Sequence, residues 1–92
     1  MEDYSIVYRL HAIQRMFERN VGIDDLREII NHGKVIERYK NDSPYPSRLV
    51  MGKIHGRSLH AVITENKAEN NMIVITVYEP DLRKWTKNDV RR

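Results

Sequence analysis

The sequence predicts an α+β fold in which two N-terminal helices pack on one face of a four-stranded antiparallel sheet. Two observations carry this prediction. Apolar residues recur with helical spacing over roughly residues 5–32, whereas most of the later chain alternates apolar and polar residues with the period of a strand. Consecutive strands joined by short turns pair antiparallel, and helices that precede them can cover one common face. Ninety-two residues suffice for one such domain.

The first helix is predicted over about residues 5–20. Its large apolar residues are spaced four, three and four apart, which places them on one inward side: Ile6, Leu10, Ile13 and Phe17. Ala12 and Met16 flank this stripe. The second helix is expected to begin near Asp24 or Asp25, either of which can cap it, and to end at Gly33.

Four strands are predicted after the helices. They comprise "KVIERYK", "RLVMGKI", "SLHAVIT" and "NMIVITVY", the last being the most apolar and therefore the most central. Pro44 and Pro46 mark a loop after the first strand, and Pro80 ends the last one. Between the second and third strands, Gly56 can adopt the positive φ of a tight hairpin.

Charge divides the chain into one domain over residues 1–82 and a basic tail over residues 83–92. The net charge is +3, but the tail holds five basic residues and one acidic residue. The tail is expected either to bind nucleic acid or an acidic partner or to be a frayed, solvated terminus, and Trp85 is the residue at which it can pack on the domain. The chain has no cysteine, and we find no leader or membrane-spanning segment, so a cytoplasmic protein is expected.

One side of the first predicted helix carries a row of basic side chains. His11, Arg15 and Arg19 are four residues apart, so each step advances only about 40° around a helix. Rows of this kind are most often solvated faces. The alternative is a face that handles phosphate, and the residues of the sheet bear on that choice.

A second cluster is predicted on the open side of the sheet. If Leu59, Ala61, Ile63, Ile73, Ile75 and Val77 meet the helices, then His60 and Tyr78 lie together on the other face, near Thr76 and Trp85. Whether His11 joins them depends on where the first helix lies. The alternative for His60 is a half-buried strand histidine bonded to a neighbour.

Two histidines and an arginine suffice for metal-independent cleavage of RNA. Because the pKa of an imidazole is about 6.5, one histidine can remove the 2′-hydroxyl proton while the other protonates the leaving oxygen. An arginine then stabilises the charged phosphorane. No metal site and no cofactor are expected, because the chain has no pair of histidines four apart, no phosphate-binding glycine loop and no nucleophile elbow.

The residues after the last strand resemble those of single-strand binders. Tyr78 and Trp85 can stack on bases while Arg83 and Lys84 pair with phosphates, and Arg19 extends the basic row of the helix. The alternative is that the two aromatic side chains cover the sheet edge and close the core.

The chain resembles a family of small bacterial proteins known as domain of unknown function 4258. The matching motifs are "HAIQRMFERNVG", "DDLREIINHGKVIERY", "SPYPSRLVMG", "GRSLHAVI" and "ITVYEPDLRKW", which together span residues 9 to 85. The layout of that family is similar to the RelE and BrnT toxins, which implies a RelE-like fold and mRNA cleavage. The motif positions to which this resemblance assigns catalysis are His11, Arg15, His60 and Tyr78. Such toxins are strongly basic, whereas residues 1–82 sum to −1.

Two functions are therefore predicted. The first is a toxin-like endoribonuclease that acts on RNA and is neutralised by a small antitoxin protein. The second is a non-catalytic module that binds a protein or a nucleic acid, through the open sheet face or through the tail. The first requires His11, Arg15 and His60 to converge on one cleft, whereas the second requires an exposed apolar or basic patch.

Overall fold

The computed structural model describes residues 4–42, 45–81 and 83. Over these residues the chain forms five strands and two helices. In chain order they are β1 (Ser5–Tyr8), α1 (Leu10–Arg19), α2 (Ile23–His32), β2 (Lys34–Tyr39), β3 (Ser47–Ile54), β4 (Arg57–Asn66) and β5 (Asn71–Tyr78). The α+β class is confirmed, as are both helices and all four predicted strands.

The predicted four-stranded antiparallel sheet is wrong, because the sheet has five strands in the order β1-β5-β4-β3-β2 and is mixed. β1 runs parallel to β5, from the pair Ser5↔Asn71 to the pair Tyr8↔Val74. The first helix was predicted to include these residues because Ile6 lies four residues before Leu10. With a strand preceding the helices, the layout that suggested a RelE-like fold is also absent.

Both helices contact the same face of the sheet. α1 packs on β5 and α2 packs on β3, and the core between the helices and the sheet includes Leu26, Ile29, Leu59 and Ala61, all fully buried. Gly52 permits the close approach of α2, since a Cβ at this position would lie 2.6 Å from Cγ1 of Ile29. The helical side of the sheet is therefore closed by large apolar side chains of α2.

The β3–β4 hairpin has the tight turn that the sequence predicts. Ile54 pairs with Arg57, and the two residues between them, His55 and Gly56, have φ values of 51° and 80°. Positive φ at both central residues is the geometry that matches the twist of antiparallel strands. The prediction of a positive φ at Gly56 is confirmed.

An irregularity between β4 and β5 changes which side chains of β5 face the helices. Val62 pairs with Thr76 but Ile63 pairs with Val74, so Ile75 is an extra residue on β5. Val74 and Val77 consequently both belong to the core beneath the helices. The expectation that Ile73 faces the helices is wrong, because strict alternation along β5 does not hold across this bulge.

Candidate functional site

α1 presents its large apolar side chains to solvent. Ala12 and Met16 are the buried residues of this helix, whereas Leu10, Ile13 and Phe17 are exposed to 72%, 50% and 89%. The prediction that these three residues face the core is wrong. The helix carries two adjacent apolar stripes, and the stripe with the small Ala12 lies against the sheet, where a short side chain allows close approach.

The outward stripe borders a groove between α1 and the start of α2. The groove has a volume of about 390 Å³ and is lined by Tyr8, Ile13, Met16, Phe17, Val21, Gly22 and Ile23. Ile23, on the first turn of α2, is 54% exposed. We call the exposed residues Leu10, Ile13, Phe17 and Ile23 the apolar surface, and the cavity beside them the α1 groove.

Tyr8 contributes a polar group to the α1 groove. Its Oη is buried and makes no hydrogen bond with the described residues. Burial raises the pKa of this phenol, with Arg27 lowering it and Asp24 raising it by smaller amounts. The ring is therefore neutral at physiological pH, and the groove contains an uncharged hydrogen-bonding group among apolar walls.

The other side of α1 carries the basic row that the sequence predicts. The guanidinium of Arg15 donates from Nε to Nε2 of His11 at 3.5 Å and from Nη1 to Oε1 of Glu18 at 2.9 Å. Arg19 is exposed at the end of the same helix. We call His11, Arg15 and Glu18 the polar flank, a solvent-exposed array in which one cation is held between an imidazole and a carboxylate.

His60 lies on the opposite face of the sheet from α1. Its strand neighbours Leu59 and Ala61 point into the core beneath the helices, so the intervening side chain points away. His60 is fully buried, and its ring meets that of Tyr78 edge to face, with centroids 5.4 Å apart. The structure therefore brings His60 and Tyr78 together, as the sequence predicts, and separates both from His11 and Arg15.

The predicted nucleic-acid contacts are only partly within the described residues. Arg83 is exposed, and its guanidinium donates to both carboxylate oxygens of Asp81 at 3.1 and 3.2 Å. Hydrogen bonding to Asp81 raises the pKa of Arg83 further above its usual value. Lys84 and Trp85, like the rest of the predicted basic tail, lie outside the described residues.

Arg57 fixes the end of α1 against the sheet. It donates to the backbone carbonyls of Arg19 at 2.7 Å and of Asn20 at 3.0 Å, and pairs with Glu79 at 3.3 Å. Carbonyls at the end of a helix lack partners within the helix, so the guanidinium supplies donors that they need. Sequence reasoning missed this residue, because the contact joins positions 38 residues apart.

Among the described residues, no three histidine, aspartate or glutamate side chains are grouped so that they could hold a metal ion. Within the same part of the chain, neither helix has the length and apolar character needed to cross a membrane.

Comparison with known proteins identifies one family. A model of the family described as "Domain of unknown function (DUF4258)" matches residues 8–79. Neither the curated proteins nor the solved structures include a match, so the predicted similarity to RelE and BrnT toxins has no support. The match includes the polar flank, His60 and Tyr78, together with Leu10, Ile13, Phe17 and Ile23 of the apolar surface. The chain belongs to the DUF4258 family of domains of unknown function.

Proposed function

We propose that this domain is a non-catalytic protein-binding module that docks its partner on the apolar surface. One observation carries the proposal: Phe17 is 89% exposed at the edge of an apolar groove, with Leu10 and Ile13 exposed beside it. Aromatic side chains that fill a partner's pocket are frequent anchors of protein interfaces. An exposed apolar patch is also what the binding-module hypothesis requires.

The size of the apolar surface supports an interaction role. Its four side chains are exposed to between 50% and 89%, and together they present roughly 400 Å² if a full side chain of this kind exposes about 150 Å². The largest patch on a typical monomer measures about 300–600 Å² and is often functional. Leaving that area in water costs about 25 cal/mol per Å² relative to burial, which a partner would recover.

Folding alone does not account for these side chains. α1 is already anchored by Ala12 and Met16, and Arg57 holds its end. Polar residues in place of Leu10 and Phe17 would leave those contacts intact. Apolar residues at these exposed positions are therefore better explained by an interaction with a partner than by the stability of the fold.

The proposal is tested by placing a photoreactive amino acid at position 13, in the α1 groove, and irradiating cells that express the full chain. We expect covalent adducts with a protein partner, identified by mass spectrometry, and their loss when Phe17→Glu is added. The same photoreactive group at Lys67, in the exposed β4–β5 turn, is the matched control. A folded chain that forms no adduct at position 13 would contradict the proposal.

A second candidate function is metal-independent RNA cleavage, and the polar flank favours it. Arg15 contacts both His11 and Glu18, which supplies an imidazole, a carboxylate and a phosphate-binding guanidinium on one exposed surface. This version assigns acid and base roles to His11 and Glu18, because His60 and Tyr78 lie across the sheet.

The RNA-cleavage candidate is tested by incubating the purified chain with single-stranded RNA in the presence of a chelator. Cleavage that is lost in His11→Ala and retained in His32→Ala, a substitution at an exposed histidine of α2, would favour this candidate. Intact RNA at high protein concentration would eliminate it and leave the binding module.

A further inference from the structure

We propose that the partner on the apolar surface is a second copy of this chain, related to the first by a two-fold axis that passes close to Gln14. This inference rests on the proposed function, because it identifies the occupant of the same surface. Four features of that surface support self-association: it carries both a protrusion and a recess, its residues on α1 form one helical seam, it lacks charge along its centre, and its area suits a dimer.

The protrusion and the recess lie side by side on one molecule. Phe17 projects into solvent, and the α1 groove beside it has a volume of about 390 Å³. An interface with two-fold symmetry uses the same patch on both copies, so each protruding group must meet a recess of the other copy. A surface that holds both shapes meets this requirement without a second protein.

The spacing along α1 fits a pair of antiparallel helices. Leu10, Ile13, Gln14 and Phe17 occupy positions i, i+3, i+4 and i+7, which form one continuous seam on a helix. The midpoint of this seam lies between Ile13 and Gln14. A two-fold axis there places Phe17 of each copy beside Leu10 and Ile13 of the other, and Ile13 borders the groove.

Charge along the seam also permits a second copy to approach. None of the four seam residues is charged, and the polar flank, with the ion pair of Arg15 and Glu18 at 2.9 Å, lies on the other side of α1. Like charges placed directly opposite each other would oppose symmetric association. Gln14 can instead meet the amide of its own counterpart near the axis, since an amide donates and accepts hydrogen bonds.

The area agrees with a symmetric pair. If each copy buries its apolar surface of roughly 400 Å², these side chains contribute about 800 Å² of the about 1,000 Å² that a specific association needs at minimum. Residues around the apolar surface add to this total when the helices pack. A dimer of modest affinity is therefore expected, with dissociation in the micromolar range.

The first experiment is sedimentation velocity on the purified full chain over about 1–500 µM. In this range of concentration, a dimer with a micromolar dissociation constant changes from mostly dissociated to mostly associated. We expect the mass to rise from one chain to two with concentration.

Phe17→Glu and Leu10→Glu are each expected to raise the dissociation constant at least about 100-fold. Both side chains are more than 70% exposed, so both variants should fold, as circular dichroism will show. Lys67→Glu is the control and should leave the dimer unchanged.

The second experiment locates the axis. The native chain has no cysteine, so Gln14→Cys introduces a single thiol. Mild oxidation is expected to convert the dimer of this variant to a disulfide-linked pair, because residues beside a two-fold axis approach their counterparts. Lys67→Cys, in the exposed β4–β5 turn, should remain largely unlinked under the same conditions.

The outcomes separate this inference from the proposed function. A chain that stays monomeric up to the highest concentration, yet forms adducts with a different protein at position 13 in cells, overturns the self-association and leaves the binding module standing. A dimer that Phe17→Glu and Leu10→Glu do not weaken also overturns the inference, since it forms elsewhere. A monomer without any adduct overturns both proposals.

Discussion

The two helices have equal lengths and opposite roles. α1 and α2 each comprise ten residues and each is amphipathic. α2 buries Leu26 and Ile29 completely, whereas α1 buries Ala12 and Met16 and exposes its larger apolar residues. The comparison shows that amphipathic spacing predicts a helix without fixing which apolar stripe meets the core. α2 stabilises the fold, and α1 displays a surface.

The largest effect is expected when leucine is shortened to alanine on each helix. Leu26→Ala removes a fully buried side chain and is expected to lower the free energy of unfolding by about 2–5 kcal/mol, since it leaves a cavity. Leu10→Ala, the same change at a residue that is 72% exposed, should alter it by less than about 0.5 kcal/mol. Urea denaturation of dilute protein measures both values. Equal losses would mean that α1 packs as α2 does.

A smaller loss is expected where α2 ends against the sheet. A Cβ at Gly33 would lie 2.6 Å from Cγ1 of Val50 and 2.8 Å from the carbonyl oxygen of Met51. Gly33→Ala should therefore cost about 1–3 kcal/mol of unfolding free energy, because backbone must move.

The matched control is Gly22→Ala at the other end of α2. The nearest atom to a Cβ there is Oδ2 of Asp25, at 3.7 Å. We expect a loss below about 1 kcal/mol, from the poorer capping by alanine alone. A loss at Gly22 as large as at Gly33 would show that helix capping, rather than the contact with β3, decides the effect.

Local patterns in the sequence were sufficient for most of the fold. The alternation of apolar and polar residues in the later chain predicts β2 to β5, and Gly56 predicts the turn between β3 and β4. Both signals are carried by residues that are close together in the sequence. β1 was missed because four residues that pair in parallel with a strand more than 60 positions away carry no local signal of that pairing. The bulge at Ile75 was missed for the same reason, since register is set by the partner strand.

The candidate site was predictable only where it depended on one element. The contact of His60 with Tyr78 follows from strand alternation and pairing, and the row of His11 and Arg15 follows from helical spacing. The separation of these two pairs depends on which face α1 covers. The face that α1 covers is decided by how the helix packs on the sheet, which the spacing of residues within one element does not show. The apolar surface of α1 was not predicted, because its residues satisfy the rule for a buried stripe as well as Ala12 and Met16 do.

Removing the contacts that fasten the end of α1 tests how that helix is held. Arg57→Met keeps most of the side-chain length and removes the hydrogen bonds to Arg19 and Asn20. We expect a loss of about 1 kcal/mol in unfolding free energy, because the freed carbonyls are near solvent. Amide hydrogen exchange at the end of α1 should quicken, while that of α2 stays unchanged. Arg38→Met, at an exposed position of β2, is the control, and a comparable loss there would contradict this explanation.

The smallest effect at neutral pH is expected at Tyr8, where β1 meets the α1 groove, and it grows at alkaline pH. Burial raises the pKa of this phenol in the folded chain above its unfolded value of about 10. As pH rises past the unfolded pKa, the unfolded chain releases the proton while the folded chain retains it, so folding loses stability until the folded pKa is passed.

Tyr8→Phe removes that component, and it also removes a buried hydroxyl that has no hydrogen bond among the described residues. The variant should therefore match or exceed the wild type in urea denaturation at neutral pH, and its advantage should grow above about pH 10. Tyr45→Phe, the same substitution at a tyrosine outside the α1 groove, is the matched control. A pH profile of the Tyr8 variant parallel to that of the wild type would show that the phenol is as well solvated in the folded chain as in the unfolded one, and that the α1 groove is wet at its Tyr8 end.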